Sequence, residues 1–506
     1  MTDATPSTPP AEGARISTGV PGLDDVLCGG LTPSRLYLLE GTPGTGKTTL
    51  ALQYLREGMA RGERALYVTL SETTEELRAA AATHGWALDG INVHELVDED
   101  GLDPDGEQSI LHPSEIELGE TVREVIARVD KTKPDRVVFD SLSELRLLAQ
   151  NPLRYRRQIL ALKRFFAKRA CTVLMLDDKT SETGDVQLHS IAHGVVSLDQ
   201  MPREYGSERR RLRIVKMRGI KFRGGYHDLV LETGGIQVFP RLVAAEHHAD
   251  FDPAGKSTGS AELDLLLGGG LVPGTNTLLL GPSGVGKTTT AVRFMVAALE
   301  RGESATYYLF DEGLATLMAR CATLGMDLRP HVEAGRLTIT QIDPAEVSPG
   351  EFATMARHAV EERGSAFVVI DSLNAYLHAM PGEEYLILQM HELLSYLNQQ
   401  GVTTLLVLGQ HGVIGEVRTD VDLSYLSDCI LLFRFFEAKG QIRTALSVVK
   451  SRVNAHERTI RELRFSGGGM QVGKALSDFE GVLTGLPAYR GEVAMLTGQA
   501  VPGDEA

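Results

Sequence analysis

Short apolar runs recur along the chain, and helix-like stretches separate the earlier ones. Continuous apolar runs of this kind predict strands that are buried on both faces, as in a parallel sheet covered by helices. The predicted strands of the first half are Leu36–Glu40, Ala65–Leu70, Arg136–Phe139, Thr172–Leu176, Gly194–Leu198 and Arg211–Lys216. Those of the second half are Asn276–Leu280, Thr306–Phe310, Phe367–Ile370, Thr404–Leu408, Cys429–Phe435 and Arg443–Val449. The sequence therefore predicts an α/β fold, a mostly parallel sheet flanked by helices, made twice.

Blocks of sequence in the first half return in the same order in the second half. ISTGVPGLDDVLCGGL at 16–31 is echoed at 256–271, RGERALYVTLSE at 61–72 is echoed at 301–312, and RVVFDSLSEL at 136–145 has its counterpart at 367–376. A repeat of this size is a complete folding unit with its own core. We therefore predict a disordered leader at 1–13, a first domain at 14–245, a second domain at 246–486 and a flexible tail at 487–506.

Each half contains a glycine-rich phosphate-binding loop, GTPGTGKT at 41–48 and GPSGVGKT at 281–288, between a predicted strand and a predicted helix. In this context backbone N–H groups and the helix N-terminus hold phosphates, and the lysine reaches the outer phosphates. The alternative is a glycine-rich turn that binds no ligand. Two matches to the motif with the same flanking elements make this alternative less favoured than a single match would. The predicted ATP contacts are Gly41, Thr42, Pro43, Gly44, Thr45, Gly46, Lys47, Thr48, Thr49, Gly281, Pro282, Ser283, Gly284, Val285, Gly286, Lys287, Thr288 and Thr289.

Acidic residues follow the strands beside each loop. Asp140 and Asp371 end apolar strands, where a carboxylate would organise Mg²⁺ together with the hydroxyl of Thr48 or Thr288. Helix N-capping is the alternative role for both aspartates.

Glu72 and Glu312 end an earlier strand in each half, where either could orient or deprotonate an attacking water. Stabilisation of a helix dipole is the alternative for these two glutamates.

Composition and charge narrow the class of protein. The chain has 506 residues and a net charge of −16, which disfavours nucleic-acid binding by counterion release. In the basic clusters Arg154–Arg157 and Arg209–Arg213, aromatic residues are not interleaved in the way that a base-stacking platform needs, so we expect solvated faces or subunit contacts there. Apolar runs are strand-sized, no signal peptide is visible, and the four cysteines lack metal-ligand spacing. We expect a cytoplasmic protein that does not enter membranes.

The paired STG, LD and GGL leaders, the two phosphate loops, the DS strand ends and the KMRG segment at 216–219 resemble the KaiC family of double-domain, RecA-like ATPases and autokinases. The resemblance covers about Arg15 to Leu486. It implies two RecA-like P-loop domains, ATP and Mg²⁺ as cofactors, and a homohexameric double ring. KaiA- or KaiB-like or signalling proteins are the partners that it implies.

In this family each nucleotide lies between neighbouring subunits, and basic residues of the next subunit contact it. The resemblance assigns that role to Lys216 and Arg218 in the first domain and to Lys450 and Arg452 in the second. A guanidinium delivered in this way stabilises charge on a transferring phosphoryl group. On sequence alone, a surface cation at a strand end is the equal alternative.

The chain departs from the family in two respects. The family places two adjacent glutamates after the second strand, with the first as base, whereas here Ser71 precedes Glu72 and Asp311 precedes Glu312. Glu72, Asp311 and Glu312 are therefore the candidate catalytic carboxylates.

The family's adjacent phosphorylated Ser and Thr correspond to Ser424 and Tyr425 in SYLSD at 424–428. Ser424 is the preferred acceptor, with Thr419 and Ser427 as lesser candidates. A polar turn without modification is equally compatible with this segment. The stretch 478–506 resembles the family's partner-binding loop and tail.

Three classes of function remain open. The first is an ATP-hydrolysing, self-phosphorylating hexameric regulator, the second is an ATP-gated scaffold without kinase activity, and the third is a RecA-like motor on nucleic acid. The acidic charge and the extent of the KaiC pattern favour the first two.

Overall fold

The computed structural model describes most of the chain in two compact units, Met1–Arg241 and Leu242–Ala506. The described residues are 14–96, 113–149, 151–179, 186–202, 205–378, 385–410, 412, 424–438, 440–466, 469–483 and 488–489. The predicted leader, Thr419 and nearly all of the predicted tail lie outside these residues. No helix in the described part of the chain is both long and apolar enough to cross a lipid bilayer.

The first unit is a sheet with helices on both faces. Its strands are β1 Leu36–Gly41, β2 Ala65–Thr69, β3 Asn92–Glu95, β4 Arg136–Asp140, β5 Thr172–Asp178, β6 Gly194–Met201, β7 Arg209–Met217, β8 Tyr226–Glu232 and β9 Gly235–Phe239. Its helices are α1 Leu23–Val26, α2 Lys47–Ala60, α3 Thr74–Thr83, α4 Pro113–Thr132, α5 Leu142–Ala149, α6 Pro152–Lys168 and α7 Val186–Ile191.

The described strands of the first unit lie in the order β3-β2-β4-β5-β1-β6-β7-β8-β9. The pairs from β3 to β6 are parallel, and those from β6 to β9 are antiparallel. The phosphate loop follows β1, which lies between two parallel neighbours. Loops after parallel strands gather at the carboxyl edge of the sheet, where α/β proteins bind their ligands.

The second unit repeats this architecture. Its strands are β10 Asn276–Pro282, β11 Ser304–Leu309, β12 Leu337–Gln341, β13 Ser365–Asp371, β14 Thr403–Gln410, β15 Cys429–Ala438, β16 Gln441–Ser451, β17 Arg461–Ser466 and β18 Gly469–Ala475. They lie in the corresponding order, β12-β11-β13-β14-β10-β15-β16-β17-β18. The short strands β19 Phe479–Glu480 and β20 Ala488–Tyr489 pair separately.

The helices of the second unit follow those of the first, except that the short helix at Arg329–Glu333 has no counterpart among the described residues there. They are α8 Ala261–Leu266, α9 Lys287–Glu300, α10 Leu314–Thr323, α11 Arg329–Glu333, α12 Pro349–Glu361, α13 Leu373–His378 and α14 Leu386–Gln399. A 3₁₀ turn at Ser424–Leu426 leads into β15.

Each sheet separates two hydrophobic cores. Along β1, Leu36 and Leu38 pack into one core, whereas Tyr37 and Leu39 pack into the other. Successive side chains of a strand point to opposite faces, so a strand covered on both sides has to be apolar throughout. This confirms the predicted α/β class and explains why the central strands are visible in the sequence as unbroken apolar runs.

The sequence prediction missed the outer strands of both sheets, namely β3, β8, β9, β12, β17 and β18. Several of these strands are short, β8 alternates between half-buried and buried positions over its first four residues, and β18 has no buried position. They lie at the sheet edges, where one face or one side meets solvent, and lack the continuous apolar run on which the prediction depended.

Candidate functional site

The first phosphate loop begins at the end of β1 and ends in the first turn of α2. Gly44 and Gly46 have φ of 83° and 97°, values that favour glycine over any residue with a side chain. A Cβ at Gly46 would also lie 2.9 Å from Ile236 Cδ1. Gly46 directly precedes α2, so the loop presents backbone N–H groups at a helix N-terminus, the arrangement that binds phosphate.

Lys47 is buried within this loop. Its Nζ donates to the carbonyl oxygens of Gly41 and Thr42 at 2.8 and 3.1 Å. It also forms a 2.7 Å ion pair with Asp178 at the end of β5. The ammonium group is therefore held at the mouth of the loop, with a carboxylate as its counter-ion.

The second loop has the same backbone. Gly284 and Gly286 have φ of 79° and 96°. Lys287 Nζ donates to the carbonyl oxygens of Gly281 and Pro282 at 2.8 and 2.7 Å. Burial lowers the pKa of Lys287 to about 8, and the nearby Asp371 only partly opposes this effect.

The strand-end aspartates lie beside the loops in both units. Tyr67 donates to Asp140 Oδ2 at 2.5 Å, and Tyr307 donates to Asp371 Oδ2 at 2.6 Å. Asp371 also hydrogen-bonds to the Thr288 side chain. The pKa of each aspartate is raised, because burial disfavours its charge more than these hydrogen bonds stabilise it. Each aspartate thus carries negative charge that the surrounding protein does not fully compensate.

A cleft of about 650 Å³ connects these groups in the second unit. It is lined by the loop residues Ser283, Gly284, Gly286, Lys287, Thr288 and Thr289, by Asp311, Glu312, Asp371 and Ser372, and by Arg320 and Gln410, among others. Most of the sequence-predicted residues of this site therefore line one cavity of a size suited to a nucleotide, whereas Gly281, Pro282 and Val285 are not among its lining residues.

The candidate catalytic carboxylates are held differently in the two units. In the first, burial raises the pKa of Glu72, and repulsion from Asp140 adds to the effect. In the second, Arg320 binds Glu312 through two hydrogen bonds, the shorter of 2.6 Å, and also donates to Thr289 at 3.1 Å.

Asp311 has a different partner, because it accepts a hydrogen bond from Ser372. Ser372 directly follows Asp371, so this bond ties one candidate base to the strand end that carries the predicted Mg²⁺ ligand.

Lys216 and Arg218 lie at the opposite edge of the first sheet from the loop. Met217 pairs with Gly194, which pairs with Tyr37 near the amino end of β1. The loop starts at the other end of β1, about 13 Å away at the usual rise per residue of a strand. These two cations are therefore remote from the phosphate loop of their own domain.

The second unit repeats this separation. Lys450 pairs with Ile430, which is level with Leu278 near the amino end of β10. Arg452 donates to the Tyr425 carbonyl at 3.0 Å and lies 3.4 Å from an oxygen of Asp428.

The candidate phosphoacceptors share this edge. Tyr425 is 54% exposed, whereas Ser427 is fully buried and cannot meet a nucleotide in this conformation. The backbone of Ser424 lies in the 3₁₀ turn, and its side chain lies outside the described part of the structure.

The sequence analysis missed a basic pocket in the first unit, at the sheet edge opposite the phosphate loop. A cavity of about 270 Å³ is lined there by Arg35, Lys163, His193 and Arg218, among others. Burial and the two arginines lower the pKa of Lys163. Within the described residues, no carboxylate forms an ion pair with these three cations.

Comparison of the repeats could have indicated this pocket. His193 and Asp428 occupy corresponding positions, each directly before the strand that pairs with β1 or β10. The second unit thus has a carboxylate beside Arg452 where the first has an imidazole beside Arg218.

Asp178 and Arg320 were also missed. Asp178 is level with Gly41, and its counterpart, level with Gly281, is Gly409. Arg320 lies on α10 and had no signal in the sequence, because a single arginine in a helix is ordinary.

Comparison with known proteins extends these observations to the whole chain. Residues 16–243 and 256–477 match the family described as "ATPase: KaiC". The chain is 27% identical to "Circadian clock protein KaiC3" of Synechocystis sp., over 96% of this chain and 97% of that protein. It is 27% identical to "Circadian clock oscillator protein KaiC" of Parasynechococcus marenigrum, over 95% of each. For the protein of the same description in Synechococcus elongatus the identity is 26%, over 94% of this chain and 92% of that protein. Since the family match includes both repeats and both phosphate loops, the chain belongs to the KaiC family of ATPases.

Proposed function

We propose that this protein is a cytoplasmic regulator that hydrolyses ATP in a double ring of six copies and phosphorylates itself in the second domain. The observation that carries this proposal is the position of each Lys/Arg pair, at the sheet edge opposite the phosphate loop of the same domain. Head-to-tail contact between copies would bring one edge to the other and complete each site. The named relatives are clock proteins, so the nucleotide state of this protein would change the binding of signalling partners.

The residues at each loop fit Mg²⁺ bound together with a triphosphate. The raised pKa of Asp140 and Asp371 marks carboxylates that a nearby divalent cation would stabilise. Among the described residues, no group of three or more His, Cys, Asp or Glu could hold a metal ion alone. This agrees with the usual Mg²⁺ site of nucleotide enzymes, which takes one or two carboxylates together with phosphate oxygens. Thr48 with Asp140, and Thr288 with Asp371, would hold the ion, which neutralises phosphate charge when bound.

In the first domain we assign hydrolysis to Glu72. Lys47 would hold the outer phosphates, Glu72 would accept a proton from the attacking water, and Arg218 of the next copy would stabilise the transferring phosphoryl group. The raised pKa of Glu72 increases its affinity for that proton.

In the second domain we assign phosphoryl transfer. The carboxylate of Glu312 is held by Arg320, whereas Asp311 accepts a hydrogen bond from Ser372, the residue after the strand-end aspartate. The hydroxyl of Ser424, or of Tyr425, would attack the γ-phosphorus of ATP held by the next copy. The bond from phosphorus to the ADP oxygen would break, and the hydroxyl proton would pass to Asp311.

The test is intact-mass analysis and phosphosite mapping after incubation with ATP and Mg²⁺. We expect phosphate on Ser424 or Tyr425, its loss in Lys287→Ala, and its retention in the matched variant Lys47→Ala. Phosphorylation that persists in Lys287→Ala would refute the assignment to the second domain. An unmodified chain that still hydrolyses ATP would favour the ATP-gated scaffold. Stimulation of turnover by single-stranded DNA would favour the nucleic-acid motor.

A further inference from the structure

The lysine of the first phosphate loop has a carboxylate partner supplied by a neighbouring strand. β5 ends in Asp177 and Asp178, and Asp178 is level with Gly41, the first residue of the loop. The ion pair between Lys47 Nζ and Asp178 Oδ1 is 2.7 Å long. Lys47 is 9% exposed and Asp178 is 29% exposed, so the pair is only partly open to water. Screening by solvent is correspondingly weaker than for a surface ion pair.

The adjacent carboxylate has a separate partner. Asp177 binds Arg146 at 2.8 Å and accepts a hydrogen bond from Ser143 at 3.2 Å. Among the described residues, Lys47 is the cation that pairs with Asp178. The lysine that should receive phosphate is therefore also the counter-ion of Asp178.

The second loop lacks this carboxylate. Gly409 occupies the position that corresponds to Asp178, and Lys287 is bonded to loop carbonyl oxygens. The difference lies in one side chain at equivalent positions of two otherwise matching strands. The two halves of the chain thus provide an internal comparison for what this carboxylate does.

The negative charge of Asp178 extends beyond Lys47. Repulsion from Asp178 contributes to the raised pKa of both Asp140 and Glu72. A nucleotide entering the first loop would bring further negative charge to a region that already holds three carboxylates.

We propose that Asp178 is an internal counter-ion that nucleotide phosphate must displace from Lys47, so that its charge weakens nucleotide binding at the first loop. This rests on the proposed function, in which the first loop binds ATP. Two anionic groups compete for one ammonium group, and the displaced carboxylate remains close to the phosphates. Divalent cations neutralise phosphate charge, so the effect of Asp178 is largest when they are absent.

The test measures binding of a fluorescent ADP analogue, N-methylanthraniloyl-ADP, to the full chain carrying Lys287→Ala. This background leaves the first loop as the intact site. We expect Asp178→Asn, which keeps the shape and removes the charge, to tighten binding about tenfold in EDTA, because charge-assisted pairing is worth more than an ordinary hydrogen bond. The gain should shrink when Mg²⁺ is added.

Asp199→Asn is the matched control. Asp199 is a partly exposed carboxylate in the same region, but it pairs with Lys179 at 3.4 Å. We expect this variant to bind as the parent does. An equal gain in both variants would show that general charge, and not competition for Lys47, sets the affinity, and would overturn the proposal.

A second pair of variants tests the same proposal at the second loop, in case Asp178→Asn does not fold. In a Lys47→Ala background, Gly409→Asp should weaken binding at the second loop, whereas Gly409→Asn should weaken it much less. Equal binding by the two would count against the proposal.

The variant Lys47→Ala, in the Lys287→Ala background, distinguishes two possible failures: that the first loop does not bind nucleotide, and that Asp178 does not compete for Lys47. If it binds as tightly as its parent, the assignment of nucleotide to the first loop fails. If it loses binding while Asp178→Asn leaves the affinity unchanged or lowers it, the role of Asp178 alone fails.

Discussion

At the scale of single residues, the two halves differ most in the carboxylate that follows the second strand. Glu72 has a raised pKa and the acidic neighbour Asp140, whereas Glu312 forms an ion pair with Arg320. Both domains lack the family's first glutamate, with Ser71 in one and Asp311 in the other, and this difference between the second glutamates is the basis for proposing Glu72 as the base of the first domain.

We predict that Glu72→Gln lowers ATP turnover at the first site about 100-fold or more, the usual loss for a positioned base. Turnover of the Lys287→Ala parent should decline on acidification at a pH above the ordinary pKa of a glutamate, because the pKa of Glu72 is raised. Steady-state phosphate release across pH measures both effects. Glu75→Gln, a change at an exposed position in the first turn of α3, is the control and should retain turnover. A Glu72→Gln protein with parental activity would exclude this residue as the base.

The second loop should show its own pH dependence. Lys287, with a pKa of about 8, is charged below this pH, and phosphate binds the charged form. Affinity for nucleotide should therefore fall as the pH rises above about 8, by up to about tenfold per pH unit. Titration of the fluorescent ADP analogue into Lys47→Ala between neutral and alkaline pH measures this. If Lys287→Arg binds nucleotide, its affinity should not decline over this pH range, because its guanidinium stays protonated. An unchanged affinity throughout would contradict the prediction.

At the scale of elements, the helices after the two candidate bases begin differently. Thr73 caps α3 by accepting from the Glu76 N–H at 3.2 Å, and the Glu76 carboxylate accepts from the Thr73 N–H at 2.8 Å. α10 begins after Gly313, which makes no side-chain cap. The reciprocal cap stabilises the helix start directly beside Glu72.

We predict that Thr73→Ala destabilises α3 locally by about 1 kcal/mol, the usual cost of losing such a cap. Amide hydrogen exchange across Thr74–Thr83 should accelerate about fivefold at that cost. Thr73→Ser keeps the accepting oxygen and should exchange as the parent does. Equal protection in Thr73→Ala would mean that packing of Leu77, and not the cap, holds the helix.

The elements that carry the loops could be predicted from the sequence, and several of their contacts could not. β1 and β4 are buried on both faces, so their composition shows their position. Ion pairs such as Lys47 with Asp178 join residues far apart in sequence, and their geometry depends on strand register. Only the structure shows that Gly41 of β1 is paired with Asp178 of β5.

At the scale of the whole molecule, one duplicated fold carries two differently charged sites. Among the residues that the structure describes, the first half has carboxylates near its loop and cations without a carboxylate partner at the opposite edge. The second half has Gly409 in place of Asp178 and Asp428 in place of His193. The sheet orders are the same in both halves. The duplication has thus kept the backbone while the electrostatics diverged, which is the basis for assigning different chemistry to each half.

In the proposed ring, the distance between the loop and the cations of one domain means that two copies with different defects should restore each other's activity. A Lys47→Ala copy has an altered phosphate loop but an intact Arg218, and an Arg218→Ala copy has an intact phosphate loop. Equal mixing of the two in the Lys287→Ala background should restore about a quarter of first-site turnover, because random neighbours in a closed ring supply both sound halves at that frequency. A mixture of Lys47→Ala and Thr48→Ala should stay inactive, because both variants alter the same phosphate loop and no copy supplies an intact one. Failure of the first mixture to recover, although mixed rings form, would mean that each chain completes its own site.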